Sequence, residues 1–576
     1  MIFDSLNIAA SSLQAQQRAM DVVSHNIANV NTPGYSRQTA DLATLTSEKV
    51  AGLNLGRGVG VMNVRRIVDP IIAQAQLNNG SQLAYWDTTH TGLKAVENVF
   101  GSLQSTGLAS ALDGFFLAWK QLANNPQDHG QKVNVRAKSS VLVDSLNNMK
   151  QQLGTVQANT DANINQSITK TNQILDNIAS LTMQINRHEA GNKGAVGQAN
   201  DLRDQRDQAV RDLTKLIPVQ QVNTADGGLM LQTLGGDLLV QDGNARHLAR
   251  GAAGSGNFST IVIQGSSSAI DQSLQGGQLG GMINLRDNKM GTYIQKIDSI
   301  AANLIFSTNQ IHASSASSTH QSTLTSEQAS NVSLPLDSTQ QTVPFASKIK
   351  TGSFKLHVYD NTVTPPVASR TVINITAGTT TMSNIVTAIN AVAGVSASTD
   401  ASGHLSITAA TNHTFSLSGD TSNTLAAYEI NSFFHGNSAG SLALSSNIKS
   451  NADAINTGQA DAATSVVQTG DNSAALSILA LQNSAMSIDA TPSVSLHDRT
   501  TSLSTLYGTD TAIALQQKDY RTVESDSLKS QRQAVSGVNV DQELVAMLKF
   551  QRAYQASAKV ITTTNRMLDS LMGLIR

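Results

Sequence analysis

Apolar positions recur in steps of three and four at both ends of the chain. At the C-terminal end they run Leu544, Met547, Gln551, Tyr554, Ala558, Ile561, Asn565, Leu568, Met572 and Ile575. This is a heptad seam and predicts one helix to the last residues. Asp541 and Glu543 place negative charge in its first turn, and beyond them there is no proline and a single glycine, Gly573. From Leu544 to Ile575 such a helix is about 48 Å long, at about 1.5 Å per residue. The N-terminal end carries a matching series, Ile2, Leu6, Ala9, Leu13, Gln16, Met20, Val23 and Ile27. It is stopped by Pro33, which disfavours helical geometry at Thr32, and Asn29, Asn31 and Gly34 suit a tight turn. A long helix with one narrow apolar stripe needs a partner. The two ends are therefore expected to form a terminal coiled-coil domain from residues 1–30 and 541–576, pairing within one chain or between subunits. The polar seam positions Gln16, Gln551 and Asn565 restrict register and partner number at some cost in stability.

Between these ends the period changes twice. Residues 70–215 read as helices: one from Pro70 through Trp86 to Phe100, a second from Leu108 to Leu122, a long polar one from Val133 to Ile185, and one from Asn200 to Leu216. Gly191–Gly197 reads as a loop. From Pro218 the alternation is of period two, with glycine turns at Asp226-Gly227-Gly228, Gly235-Gly236 and Asp242-Gly243. A helix is expected over Met282–His312, followed by a Ser/Thr-rich stretch over 313–350. Residues 351–420 read as a compact insert. Its strands lie around Phe354–Val358 and Val372–Ile375, and a short helix over Met382–Val392 is capped by Ser383. A hairpin turns at Asp400-Ala401-Ser402-Gly403. Helical signals return from Asn472.

The fold class expected is multidomain α+β, with terminal coiled-coil helices, a helical-bundle domain built from both ends of the chain, and outward β-rich domains from the middle. The domains are 1–30 with 541–576; a helical domain of 31–217 with 471–540; a β-rich middle domain of 218–350 with 421–470, holding the helix at 282–312; and the small α/β module at 351–420.

Composition narrows the function. Charged residues make up 14% of the 576 positions, against roughly 25% in ordinary soluble domains, and the net charge is -2. There is no basic stripe, which argues against nucleic acid as a partner. Aromatic residues are 4%, too few for large aromatic cores. The absence of cysteine excludes disulfides and Cys-ligated metals. Residues 1–30 are amphipathic and lack the basic start and continuous apolar core of a secretory signal, and no eighteen-residue apolar run spans a membrane. Catalytic patterns are missing. The histidines are scattered, and neither Gly-x-Ser-x-Gly nor His-Glu-x-x-His occurs. Gly56-Arg57-Gly58-Val59-Gly60-Val61 lacks the Lys-Ser/Thr of a phosphate loop and continues as a strand. Asp201, Asp204 and Asp207 have metal-triad spacing. Arg203, Arg206 and Arg211 interleave with them, so i,i+4 pairs Arg203–Asp207 and Asp207–Arg211 are the preferred reading. The chain reads as a non-enzyme without cofactor or metal.

Two motifs carry a resemblance. Residues 26–37 read Asn-Ile-Ala-Asn-Val-Asn-Thr-Pro-Gly-Tyr-Ser-Arg, and the C-terminal region contains Ser536-Gly537-Val538-Asn539-Val540-Asp541 and Phe550-Gln551-Arg552-Ala553-Tyr554. Together, in this order at opposite ends, they resemble the bacterial flagellar rod, hook and hook-associated axial proteins. Asn26, Asn29, Asn31, Thr32, Pro33, Gly34 and Tyr35 are the residues of the first motif. The helical insert at 70–215 and Asn309-Gln310-Ile311-His312 are similar to the hook-associated branch. Where relatives often continue with a Gly-rich loop, this chain has Ala-Ser-Ser-Ala-Ser-Ser-Thr. The resemblance implies a structural axial part at the junction of hook and filament. It implies export in an unfolded form by the flagellar type III apparatus without a cleaved signal peptide, and assembly through the paired terminal helices. Implied partners are further copies of the chain, hook protein, hook-associated protein 3 and an export chaperone at the C-terminal helix, with no nucleic acid and no membrane. The assembly seam would be Leu6, Leu13, Met20, Val23 and Ile27 with the C-terminal series above. Alternatives are a hook or distal-rod protein, an adhesin-like fibre protein, or a wall-degrading enzyme fused to an axial protein.

Overall fold

Helix formation at the two ends follows the heptad pattern, and the middle of the chain follows the period-two pattern. The computed structural model describes residues 2–50, 53–101, 107–189, 199–223, 229–254, 258–461, 464–486, 488 and 493–574. The expected loop at Gly191–Gly197, the turn at Asp226-Gly227-Gly228 and seam residue Ile575 lie outside them. In chain order the helices are α1 (Ile2–Ala28), α2 (Pro70–Gly101), α3 (Leu108–Asn124), α4 (His129–Glu189), α5 (Asn200–Leu216), α6 (Gly277–Ile283), α7 (Met290–Ala313), α8 (Met382–Asn390), α9 (Thr424–Ala427), α10 (Ser446–Ser450), α11 (Ser473–Ala480), α12 (Leu496–Ser536) and α13 (Val540–Leu574). Among the described residues no helix is long and apolar enough to cross a membrane.

The chain divides into two compact units. Unit 1 comprises Met1–Gly92, Asn159–Asp287 and Ala512–Arg576; unit 2 comprises Leu93–Ala158 and Asn288–Thr511.

In unit 1 the terminal helices α1 and α13 pair, and α1 also lies on an antiparallel ribbon of Gln38–Thr44 and Val59–Arg66. The glycine-rich segment at 56–61 therefore feeds a strand. Helices α2 and α12 are joined here by side chain to backbone bonds: Gln76 Nε2 donates to Leu528 O (3.2 Å) and Asn79 Nδ2 to Arg521 O (3.0 Å). The second half of α4 buries Ile164, Ile168, Leu175, Ile178 and Leu181 against α5 and a four-stranded sheet in the order 220–223, 229–232, 238–241, 244–245. Leu229 and Leu231 alternate inward, as a half-buried strand requires. Pro218 follows the end of α5, where it cannot continue the helix.

The expected single helix over Met282–His312 is instead α6, a π-helical stretch over Asn284–Lys289, and α7. Such wide turns accommodate a side chain that must point inward. Here that side chain is Arg286, which is 1% exposed and bonded to Asp161 (2.6 Å) and Asp287 (2.7 Å), with its guanidinium 5.1 Å over the Phe258 ring. Arg250 shares Asp161 (2.5 Å).

Unit 2 corrects the expectation about aromatics. Phe115, Phe116 and Trp119 of α3 cluster with Phe433 and Phe434, with ring centroids 4.8–6.3 Å apart. A composition of 4% does not prevent a core when the rings are concentrated at one place. Asn309 and His312 at the end of α7 hold that place. Asn309 Oδ1 accepts from Phe433 N and Phe434 N (3.0 and 2.8 Å), and its Nδ2 donates to Phe434 O. His312 Nδ1 lies 2.9 Å from Asn431 O, and its Nε2 accepts from Asn456 N (3.0 Å). Both ring nitrogens are committed only if the ring is neutral.

The 351–420 segment forms one three-stranded sheet and supplies two strands of a second, whose third strand, 323–325, comes from before it. One has the order 367–375, 352–360, 413–418; the other has 323–325, 405–409, 395–399. The cap of α8 is Thr381 rather than Ser383. Thr381 Oγ1 accepts from Asn384 N, and Asn384 Oδ1 accepts from Thr381 N, a reciprocal capping box. Ser383 Oγ donates instead to Val332 O.

Burial pulls His312, His320 and His357 of unit 2 down to about 4. Above the unfolded pKa of about 6.5 these groups are neutral in both states. As the pH falls below it, only the unfolded chain takes protons, so stability declines until the folded rings titrate near 4. Urea unfolding of unit 2, followed by Trp119 fluorescence in a Trp86→Phe background, should show a midpoint that drops from pH 7 to pH 5. The drop should be shallower in His357→Gln, and an identical slope in both proteins would refute the assignment.

Candidate assembly interface

The α1–α13 contact is lined by small side chains. On α1, Ala9, Ala15, Ala19 and Val23 are buried, and Ser12 Oγ meets Ser557 Oγ of α13 at 2.8 Å. Small residues let two helix backbones approach closely, at the expense of apolar area. On α13 the buried or half-buried line is Glu543, Met547, Phe550, Ser557, Ile561, Thr564 and Leu568. Of the predicted seam, Leu6, Leu13, Met20 and Ile27 are half-buried and Val23 is buried. Met547, Ala558, Ile561 and Leu568 are half-buried, while Leu544, Gln551, Tyr554, Asn565 and Met572 are exposed. The α1 contact thus uses a line of α13 one residue out of phase with half of the predicted series. Val545 (68% exposed), Leu548 and Met572 (71%) leave an outward apolar surface.

The turn after α1 is a hub within unit 1. Asn29 O accepts from Thr32 N and Asn29 Oδ1 from Thr32 Oγ1; Thr32 O accepts from Tyr35 N. Gly34 has φ +86°, a region that glycine enters without strain, and a Cβ there would meet Arg211 and Gln208 at 3.1 Å. Asn31, Thr32 and Pro33 are exposed. Asn26 is buried and fully used. Its Oδ1 accepts from Gln38 N (2.9 Å) and Tyr35 OH (2.8 Å), and its Nδ2 donates to Gln38 O (2.9 Å) and Glu543 Oε2 (3.0 Å). Arg37 Nε donates to Glu543 Oε1 at 2.6 Å. Burial, then the carboxylates of Asp201, Asp204 and Glu543, push the Tyr35 phenol well above its ordinary value.

Helix α5 closes the hub from the other side. Its expected i,i+4 pairs are not the ones made. Arg66 Nη1 donates to Asp204 (2.7 Å) and Asp207 (2.8 Å), Asp204 also accepts from Ser36 N, Asp201 accepts from Gln38 Nε2, and Arg203 pairs with Glu189 at 2.7 Å. Long-range partners win because α5 is packed on the ribbon, where Asp204 is buried and local pairing would leave Arg66 without a carboxylate. Arg37 N donates to Ser536 O and Arg532 Nη2 to Gly34 O, which ties in the end of α12.

Sequence reading missed Glu543 as anything beyond first-turn charge. Asn539 does the capping, its Oδ1 accepting from Asp541 N and Gln542 N. The signal available was phase: Glu543, Phe550, Ser557 and Thr564 are themselves seven residues apart. The arrangement contains donors and acceptors that hold helices in register. No group of three or more His, Asp or Glu that could hold a metal occurs among the described residues.

Four family models match the chain: "Flagella basal body rod protein" over 6–35, "Flagellar hook-associated protein FlgK helical domain" over 93–323, "Flagellin hook IN motif" over 353–411, and "Flagellar basal body rod FlgEFG protein C-terminal" over 529–574. The chain is 26% identical to flagellar hook-associated protein 1 of Salmonella typhimurium, over 99% of both chains. It is 30% identical to the Bacillus subtilis protein of that name over 42% of this chain and 48% of the other. Among solved structures, the flagellar hook junction protein FlgK from Burkholderia pseudomallei aligns with 81% of this chain and 100% of its own, at 17% identity and a TM-score of 0.49. With rod-type matches at both ends and a hook-associated helical-domain match between them, the chain is similar along its length to the flagellar rod, hook and hook-associated axial proteins.

Proposed function

We propose that this chain is a hook-associated protein 1 that builds the junction between hook and filament. The observation that carries the reading is the hook-associated helical-domain match over 93–323, lying between rod-type matches at 6–35 and 529–574. A hook or distal-rod part would account for the terminal matches and not for the region between them. The proposed assembly surface is the outward line of α13, in which exposed Leu544, Val545, Leu548, Tyr554 and Met572 are interrupted by the polar Gln551 and Asn565, presented to other copies in the axial helix. Large apolar side chains exposed together along one helix mark an interaction site. Hook protein and hook-associated protein 3 are the proposed axial neighbours, and an export chaperone covers the C-terminal helix before export without signal cleavage. The proposed domain division is the fourfold one, with 351–420 as a dispensable outer module.

The test is complementation of a deletion strain, imaged for filaments on hooks. The full chain should restore filaments, and so should a chain lacking 351–420. A chain lacking Asn539–Arg576 should remain folded in unit 2 and leave bare hooks. Filaments of normal number in the deletion strain itself would overturn the junction reading.

A further inference from the structure

Unit 1 contains a cavity of about 470 Å³ between α5, the start of α2 and the end of α12, lined by Ser36, Arg66, Arg203, Arg206, Arg211 and Arg532 among others. Its size falls in the range of small-molecule sites. The carboxylates on its wall are already engaged. Asp69 accepts from Ile71 N and Ile72 N at the start of α2, and Asp207 accepts from Arg66. Arg203 is taken by Glu189, and Arg66 by Asp204 and Asp207. The remaining three guanidiniums have no carboxylate bond among the described residues. Arg211 donates to Gln208 Oε1 and Arg532 to Gly34 O, both uncharged acceptors. Arg206 is 3% exposed, and its Nε and Nη1 find no hydrogen-bond partner among the described residues.

A buried guanidinium with two unmet donors is costly to the fold, because its charge has been taken from water without replacement. Burial pulls Arg206 below its ordinary value, and burial with the nearby Arg532 does the same for Arg211. The planar fork of Arg matches two oxygens of a phosphate or carboxylate at once. We infer that this cavity is a binding site for a multivalent oxyanion, of phosphate or polycarboxylate class, with Arg206 as its central donor and Arg211 and Arg532 as flanking cations. Occupancy would brace α5 against the ends of α2 and α12 around the Gly34 turn. It would make unit 1 more stable in the presence of the anion.

Isothermal titration of the full chain with sodium pyrophosphate and, separately, with citrate at matched ionic strength tests this. At least one is expected to bind saturably, and the stronger of the two names the class. Arg206→Met should weaken binding at least about tenfold, a loss of roughly 1.4 kcal/mol. Gln74→Glu, a surface change on the cavity wall that adds negative charge without touching the buried cluster, should weaken it as well and keeps the test open if Arg206→Met does not fold. Three results would overturn the assignment: no saturable heat for either anion up to about 10 mM, where binding is weaker than about 3 kcal/mol; a response to sodium chloride alone; or full affinity in Gln74→Glu.

Discussion

Arg37→Met is expected to cost unit 1 about 3–5 kcal/mol, more than the loss of its partner Glu543. The asymmetry follows from exposure. The Glu543 side chain is 2% exposed and that of Arg37 is 29%. Without Arg37 the Glu543 carboxylate stays buried with the Asn26 amide as its hydrogen-bond donor. Without Glu543, the Arg37 guanidinium can turn toward water, and Glu543→Gln should cost about 1–3 kcal/mol, the price of a disturbed buried hydrogen bond. The double variant should be less destabilised than the sum of the singles by at least about 1 kcal/mol, because the two side chains share one bond. Urea unfolding followed by circular dichroism measures all three. Equal costs for the two single variants, or strict additivity, would show that the ion pair does not hold α1, the Tyr35 turn and α13 together. On the proposed junction role, Arg37→Met should fail to place filaments on hooks, because the ion pair that sets the register of α1 and α13 is removed.

The second large effect is at Asp161. Its carboxylate receives Arg250 and the buried Arg286. Burial tends to raise the Asp161 carboxyl, but hydrogen bonds from Arg250 and Arg286 outweigh it and hold the group below the usual carboxylate range. Asp161→Ala removes the anion from between two cations, and a loss of about 3–5 kcal/mol is expected. Arg286→Met should cost less, because Asp161 keeps Arg250 and Asp287 is partly in water. The pH dependence has the opposite sense to that of the unit 2 histidines in its cause and the same direction. A depressed carboxylate contributes its stability above the unfolded pKa of about 3.9 and loses it as the pH falls through the folded value. Thermal unfolding at pH 7 and at pH 3 should therefore differ less in Asp161→Ala than in the parent. A larger difference in the variant would contradict the role given to this carboxylate.

Several features are legible in the sequence itself. The stop of α1 needs only Thr32-Pro33 and the turn residues after it, and α3, α5 and the hairpin at 395–409 follow from local period and turn chemistry. Sparse apolar positions along α4 sufficed as well: Leu142, Leu146, Leu153, Ile164 and Leu175 are all fully buried. Such signals are short-range and depend on backbone geometry that each segment carries with it.

What the sequence left open was the choice among competing partners. On α13, Leu544, Val545, Met547, Leu548 and Phe550 are apolar on several faces, so periodicity alone admits neighbouring phases. Packing on α1 selected the phase through Glu543, Phe550, Ser557 and Thr564 and turned Leu544, Gln551 and Asn565 outward. The charges of α5 could pair locally, yet burial beside Arg66 and Ser36 decided their partners. Five aromatic rings from two segments far apart in sequence, 115–119 and 433–434, became one core because Asn309 and His312 supplied the polar bonds that the 429–456 segment needs. Local elements were thus determined by the sequence itself. The pairing of charges, the phase of α13 and the place of the rings were decided only by tertiary structure, since each depends on which groups are desolvated together.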